Sequence, residues 1–287
     1  MRLFLISTDH LEDRIWFRDD DDLKAAMNIV AIIVSMLNID IWVFALMSNH
    51  VHFITFGNRS DAELFITKFK KLYGQYYQNK YRTKHFLKRN GVDISEVDSK
   101  WEGWEKAMAY VQMNPPAANI CLDAQGYKWG TGSCFFNGNN PSGKKASEFS
   151  YRELCRLLKT HARIRQDMVI SDEGYVLPES YVNIAQVETV FGTPKRMNFF
   201  LNSSSKARAR IEKGGQSVPS FSDKNIAALI PDICVSLFRT SNMMDLGEEE
   251  LARLSYELRR RFSCDIAQIA RLVGMTKADI AKALDKF

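Results

Sequence analysis

Two histidines, a tyrosine and an asparagine are the residues of this chain best spaced for chemistry. His50 and His52 stand one residue apart in ALMSNHVHFITF (45–56), a run otherwise apolar enough to form a strand. At period two they share a face with Ile54 while Val51 and Phe53 take the other, so both imidazoles can meet one ligand. The chain holds five histidines; His10, His85 and His161 are isolated, and none of those three is assigned to a metal. Tyr110 and Asn114 lie four apart in KWEGWEKAMAYVQMNPPAANI (100–120), which reads as a helix from about Trp101 until Pro115 and Pro116 stop it. Phenol and amide then project one turn apart on one helical face. A core aromatic and a plain helix-end residue are the alternative roles for this pair.

The elements that must position these groups follow from pattern. RLFLIST reads as a first strand, and DDDDLKAAMNIVAIIVSMLN as a helix whose acidic start suits the positive end of its dipole. IDIWVFALM reads as a strand, SN as a turn and HVHFITF as the antiparallel partner. Residues 59–89 carry nine Lys or Arg against two acids, interleaved with Tyr73, Tyr76, Tyr77 and Tyr81. Lys68, Lys70, Lys71, Arg82 and Lys84 could follow a phosphate backbone while the tyrosines stack unpaired bases. A solvated amphipathic helix explains the same segment, with Leu64, Phe65, Phe69 and Leu72 as its buried face.

With 46% hydrophobic and 25% charged residues, the composition excludes general disorder and leaves room for one large domain or two smaller ones. The longest apolar run is broken by Asn28, Ser35, Asn38 and Asp40, so it predicts a buried helix and strand and no membrane span. The first residues show no apolar stretch of signal length, which places the expectation in the cytoplasm. Five scattered cysteines without a CxxC pair argue for reduced thiols over disulfides or a thiolate zinc site. A net charge of +5 permits nucleic-acid binding without requiring it.

LMSNHVHFI, the basic helix after it, YVQMNP and the aromatic GYKWGT beyond, in that order over about residues 1–135, resemble the REP-associated tyrosine transposases. These belong to the single-tyrosine HUH nucleases and transposases, where U is a bulky hydrophobic residue, here Val51. The resemblance implies that His50, His52 and Asn114 bind a divalent metal, Mg²⁺ or Mn²⁺. It implies that Tyr110 attacks a phosphodiester of single-stranded or hairpin DNA, leaving a 5′-phosphotyrosine and a free 3′-hydroxyl that can later be rejoined. It also implies a monomer or a homodimer. The chain departs from the family in three places. It has NPPAA for NPVRA and WGTG for WSS, and it has no glycine, aromatic and Gln-Gly-Arg stretch between basic helix and tyrosine. A DNA-binding protein or regulator that keeps the fold without catalysis is the alternative, and a metal hydrolase using water a third possibility.

After the polar break 137–150, residues 151–240 read as a helical accessory region. In 241–287, DIAQIARLVGMTKADIAKAL places Ala270, Gly274 and Ile280 at the small, turn and apolar positions of a helix-turn-helix. Thr276 would cap its second helix, and Lys277, Asp279 and Lys282 would face outward toward duplex DNA. The expected fold is therefore α+β: a ferredoxin-like HUH antiparallel sheet flanked by helices over 1–136, then a helical region ending in a helix-turn-helix.

Overall fold

A computed structural model describes residues 2–8, 15–83, 91–118, 120–138, 141–205, 223–262 and 264–286. The chain is mixed α+β. It opens with β1 (Arg2–Ser7), α1 (Asp20–Leu37), β2 (Asp40–Leu46), β3 (Val51–Gly57), α2 (Arg59–Tyr81) and β4 (Asp93–Val97). The strands form one antiparallel sheet in the order β2-β3-β1-β4. Each long helix thus carries the chain over one intervening strand, and β3 ends up central.

The acidic start of α1 acts as the sequence suggests. Asp19 is its N-cap, accepting from the Asp22 N–H at 2.9 Å, and Asn38 in the left-handed region closes the other end on Val34 O. On α2 the buried stripe is Phe65, Ile66, Phe69, Tyr73 and Tyr77. Leu64, expected in that stripe, is 43% exposed, and Leu72 is partly buried. Phe53 of β3 packs edge-on against Phe65 and Phe69, at 4.8 and 5.4 Å between ring centres. The odd positions of β3 therefore look toward the α2 side of the sheet, which turns His52 to the opposite face.

That opposite face is covered by α3 (Gly103–Gln112), whose Trp104 meets Trp42 of β2 edge-on at 5.6 Å. The prolines do not end the helical path. Pro115 and Pro116 open the short α4 (Asn114–Ala117), where a first-turn residue needs no N–H partner, and the path bends at Met113. The GYKWGT stretch then runs along the free edge of β2. Leu46 N–H bonds Trp129 O, Thr131 N–H bonds Phe44 O, and the Tyr127 hydroxyl bonds Leu46 O.

The helix α5 (Tyr151–Leu158) ends beside α1 and α2, whereas α6 (Ile184–Phe191) and α7 (Pro194–Ser203) pack on α3, with Arg196 of α7 paired to Glu102 and Glu105 at 3.1 and 2.9 Å. One apolar core runs from Leu3 to Leu201 and includes Ala146, within 137–150. A second core unites the helices Ile230–Phe238, Glu248–Phe262, Ile266–Val273 and Lys277–Leu284, and takes in Ile15 from the start of the chain. All five cysteines are free thiols. Among the described residues no helix is long and apolar enough to cross a membrane.

Candidate active site

His52 lies in the middle of the sheet, opposite Ser7 on β1 and Ala45 on β2. Both neighbours are small, so the imidazole stands in a recess and is fully buried. His50 sits just before β3 in a turn over residues 47–50, closed by Met47 N–H to His50 O at 2.8 Å. Two contacts grip this turn from outside. Thr8 Oγ1 accepts the Val51 N–H at 2.8 Å, and Ser48 O accepts the N–H groups of both Trp16 and Phe17 at 2.8 and 3.0 Å.

The imidazole rings of His50 and His52 are 5.0 Å apart between centres and nearly perpendicular, at 80°. Tyr110, carried across this face by α3, brings its ring within 5.7 Å of His52, again nearly perpendicular at 81°. Two residues from a strand edge and one from a helix some sixty positions later (~60, the reach of a small domain) thus converge within a single chain. The fourth residue, Asn114, is only 4% exposed. Its amide nitrogen donates to Tyr110 O at 2.9 Å and Val111 O at 3.4 Å, which satisfies carbonyls at the end of α3 and leaves the amide oxygen as its possible ligand atom.

The donor set fits a divalent ion. Two imidazoles sharing one ion at about 2.1 Å per nitrogen hold their ring centres roughly 4.5 to 5 Å apart, which is the spacing of this pair. Asn49, given only a turn role by the sequence, supplies the orienting contact: its Oδ1 lies 2.6 Å from His50 Nδ1. An amide oxygen only accepts, so this contact calls for a proton on Nδ1, and in the neutral ring Nε2 then carries the lone pair. Among the described residues no group of three or more His, Cys, Asp or Glu could hold a metal.

The residues expected to meet nucleic acid are placed unevenly. On α2, Lys71 and Arg82 are exposed, Lys68 is half-buried and Lys70 is buried; Lys84 lies outside the described residues, as do His10 and His85. The tyrosines of α2 are structural. Tyr73 and Tyr77 are buried, Tyr73 donating to Trp16 O at 2.5 Å. Tyr76 and Tyr81 donate to the fully buried carboxylate of Asp22, at 3.1 and 2.8 Å, where Lys80 adds an ion pair at 2.8 Å. Desolvation, and then the neighbouring Asp19, raise the Asp22 carboxyl above its usual range. At the other end of the chain Thr276, Lys277, Asp279 and Lys282 are exposed. Thr276 caps its helix through the Asp279 N–H at 3.2 Å, and Gly274 takes the left-handed turn, at φ +73°.

No protein-family model, curated protein or solved structure matches this chain.

Proposed function

We propose that this chain is a metal-dependent single-strand DNA endonuclease and strand transferase of the HUH type, with Tyr110 as nucleophile. The observation that carries the reading is the meeting of His50, His52 and Tyr110 on one sheet face of one chain. The β-α-β-β-α-β order with strands arranged 2-3-1-4, a ferredoxin-like topology, supports it, because it makes the histidine strand central.

His50, His52 and the Asn114 oxygen would hold Mg²⁺ or Mn²⁺. When bound, such an ion supplies polarisation of a phosphate oxygen and charge stabilisation. The chain's own groups do the rest. A phosphodiester would approach from the side of the partly exposed His50 and Tyr110, since His52 itself is fully buried, and α3 would carry the Tyr110 phenol to the phosphorus. Attack by the phenolate oxygen forms the tyrosyl ester to the 5′-phosphate. It breaks the bond to the departing 3′-oxygen, which takes up a proton as it leaves. Because the ester's energy is kept in the adduct, a 3′-hydroxyl reverses the step and joins strands. Exposed Lys71 and Arg82, half-buried Lys68 and the Lys84 position would follow the single strand. Thr276, Lys277 and Lys282 would meet duplex DNA through a helix-turn-helix, and buried Lys70 serves packing.

The test uses a pool of 3′-end-labelled single strands and hairpins with Mn²⁺ or Mg²⁺. A label that stays on the protein in denaturing gels, and is lost with Tyr110→Phe, His52→Ala or chelator, is the expected result. Cleavage that survives Tyr110→Phe would mean hydrolysis by water. Binding with no adduct from any strand would mean a DNA-binding protein on the same fold.

A further inference from the structure

A cleft of about 830 Å³ opens on the helical side of the sheet, away from the histidines, between α1, α2 and the end of α5. Its floor is apolar: Ile29, Ile32 and Met36 of α1 face Leu72 of α2. Met36 is 53% exposed, so apolar surface is left open along the floor. At the upper end stands Tyr76, whose hydroxyl is already committed to Asp22. Two ammonium groups flank its ring, Lys80 and Lys159, each 5.8 Å from the ring centre.

These two lysines differ. Lys80 is neutralised by Asp19 and Asp22 at 2.6 and 2.8 Å. Lys159, held in the left-handed region as the C-cap of α5, forms no ion pair among the described residues. Lys24, also on the wall, faces Glu173 at 4.0 Å, but Glu173 is held more closely by Lys128. The cleft therefore combines an apolar trough with one ammonium, Lys159, that pairs with no carboxylate among the described residues, while Asp21 and Glu173 also line the wall. We infer that it binds a small amphipathic monocarboxylate, the apolar body along Ile32, Met36 and Leu72 and the carboxylate at Lys159. The ring face beside Lys159 is occupied by the ammonium, which disfavours base stacking there and so favours an aliphatic acid over a nucleotide.

Calorimetric titration of the full chain with decanoate, below its micelle concentration, tests this without DNA or metal. Saturable one-to-one binding is expected, weakening about fourfold per methylene removed from the acid, from the transfer free energy of a CH₂. Lys159→Glu and Met36→Glu alter exposed side chains and should keep the wild-type melting temperature while each weakens decanoate at least tenfold. Decyltrimethylammonium should not compete. Binding undiminished in both variants, equal competition by the cationic amphiphile, or tighter binding of a deoxynucleoside monophosphate would each overturn the assignment.

Discussion

In the proposed site Asn49 would set which nitrogen of His50 faces the metal, and so would tune metal affinity without touching the ion. Its Oδ1 fixes the ring through Nδ1 at 2.6 Å. Orienting partners of ligating histidines typically matter by about 10- to 100-fold in affinity. Asn49→Ala should therefore weaken Mn²⁺ binding by that factor, followed by the loss of the free-ion paramagnetic resonance signal on titration. Asn49→Asp, which keeps an acceptor at the same place and adds charge, should restore it. An Asn49→Ala protein that binds Mn²⁺ as tightly as wild type would remove Asn49 from the site. That the two histidines and Tyr110 come together was anticipated from their spacing, although His50 lies in the turn before β3 and Asn114 stands past the bend at Met113, at the start of α4. Asn49 was not anticipated, since an asparagine before a strand already has a local explanation in the turn.

At the scale of elements, the same local logic misassigned the tyrosines of α2. Interleaving with basic residues suggested a stacking surface, yet a helix buries whichever stripe its neighbours offer, and here the Asp22 carboxylate at the start of α1 recruits Tyr76, Tyr81 and Lys80. Strand β4 went unread because DISEV is a polar edge strand, held by Arg2 to Glu96 at 2.7 Å, without the alternation a half-buried strand shows. The glycines of WGTG have a steric reason: a Cβ on Gly130 would lie 2.8 Å from the Phe44 carbonyl oxygen, and one on Gly132 1.8 Å from that of Ala124. The tyrosine cluster makes a prediction in alkali. Burial, and then Asp22, hold the Tyr76 and Tyr81 phenols well above their ordinary value; burial pushes Tyr77 up to about 12. Lys80 is raised as well, its burial outweighed by Asp22 and Asp19. Groups whose folded values exceed the unfolded ones, about 10 for tyrosine, contribute stability that is complete below that pH and lost as pH rises through the folded values. Tyrosinate absorbance should therefore rise in one cooperative step together with loss of helical circular dichroism, above pH ~10. A gradual rise while the helices persist would show these phenols to be accessible.

Across the whole molecule, and among the described residues, the two cores meet at the short segment 15–20. On its inner side Trp16 and Phe17 hold the turn that carries His50, through Ser48 O. On its outer side Ile15 enters the core of the C-terminal helices, Arg18 pairs with Asp232 at 2.9 Å, and Asp20 pairs with Arg260 and Arg261 at 2.9 and 3.4 Å. Nothing in the sequence alone joins positions 20 and 260; the contact exists only because α1 begins where the C-terminal helices dock. The segment is thus a contiguous path from those helices to the histidine turn, along which duplex DNA bound as in the proposed function would act. Asp20→Ala isolates the effect, since Arg260 and Arg261 both keep Glu257 as a partner, at 2.8 and 2.7 Å. The variant should retain its sheet but exchange amide hydrogens faster at 15–18 and 47–50. Acid should reproduce the change in the wild type. Burial would raise the Asp20 carboxyl, but Arg261 and Arg260 outweigh it and hold it below the usual carboxylate range. A depressed value contributes stability that is present above the unfolded value, about 3.9, and lost as pH falls through the folded one. The exchange profiles of wild type and variant should therefore converge below pH ~3. Faster exchange in the C-terminal helices of the variant with residues 47–50 unchanged would show that the segment holds the two cores together without transmitting anything to the histidines.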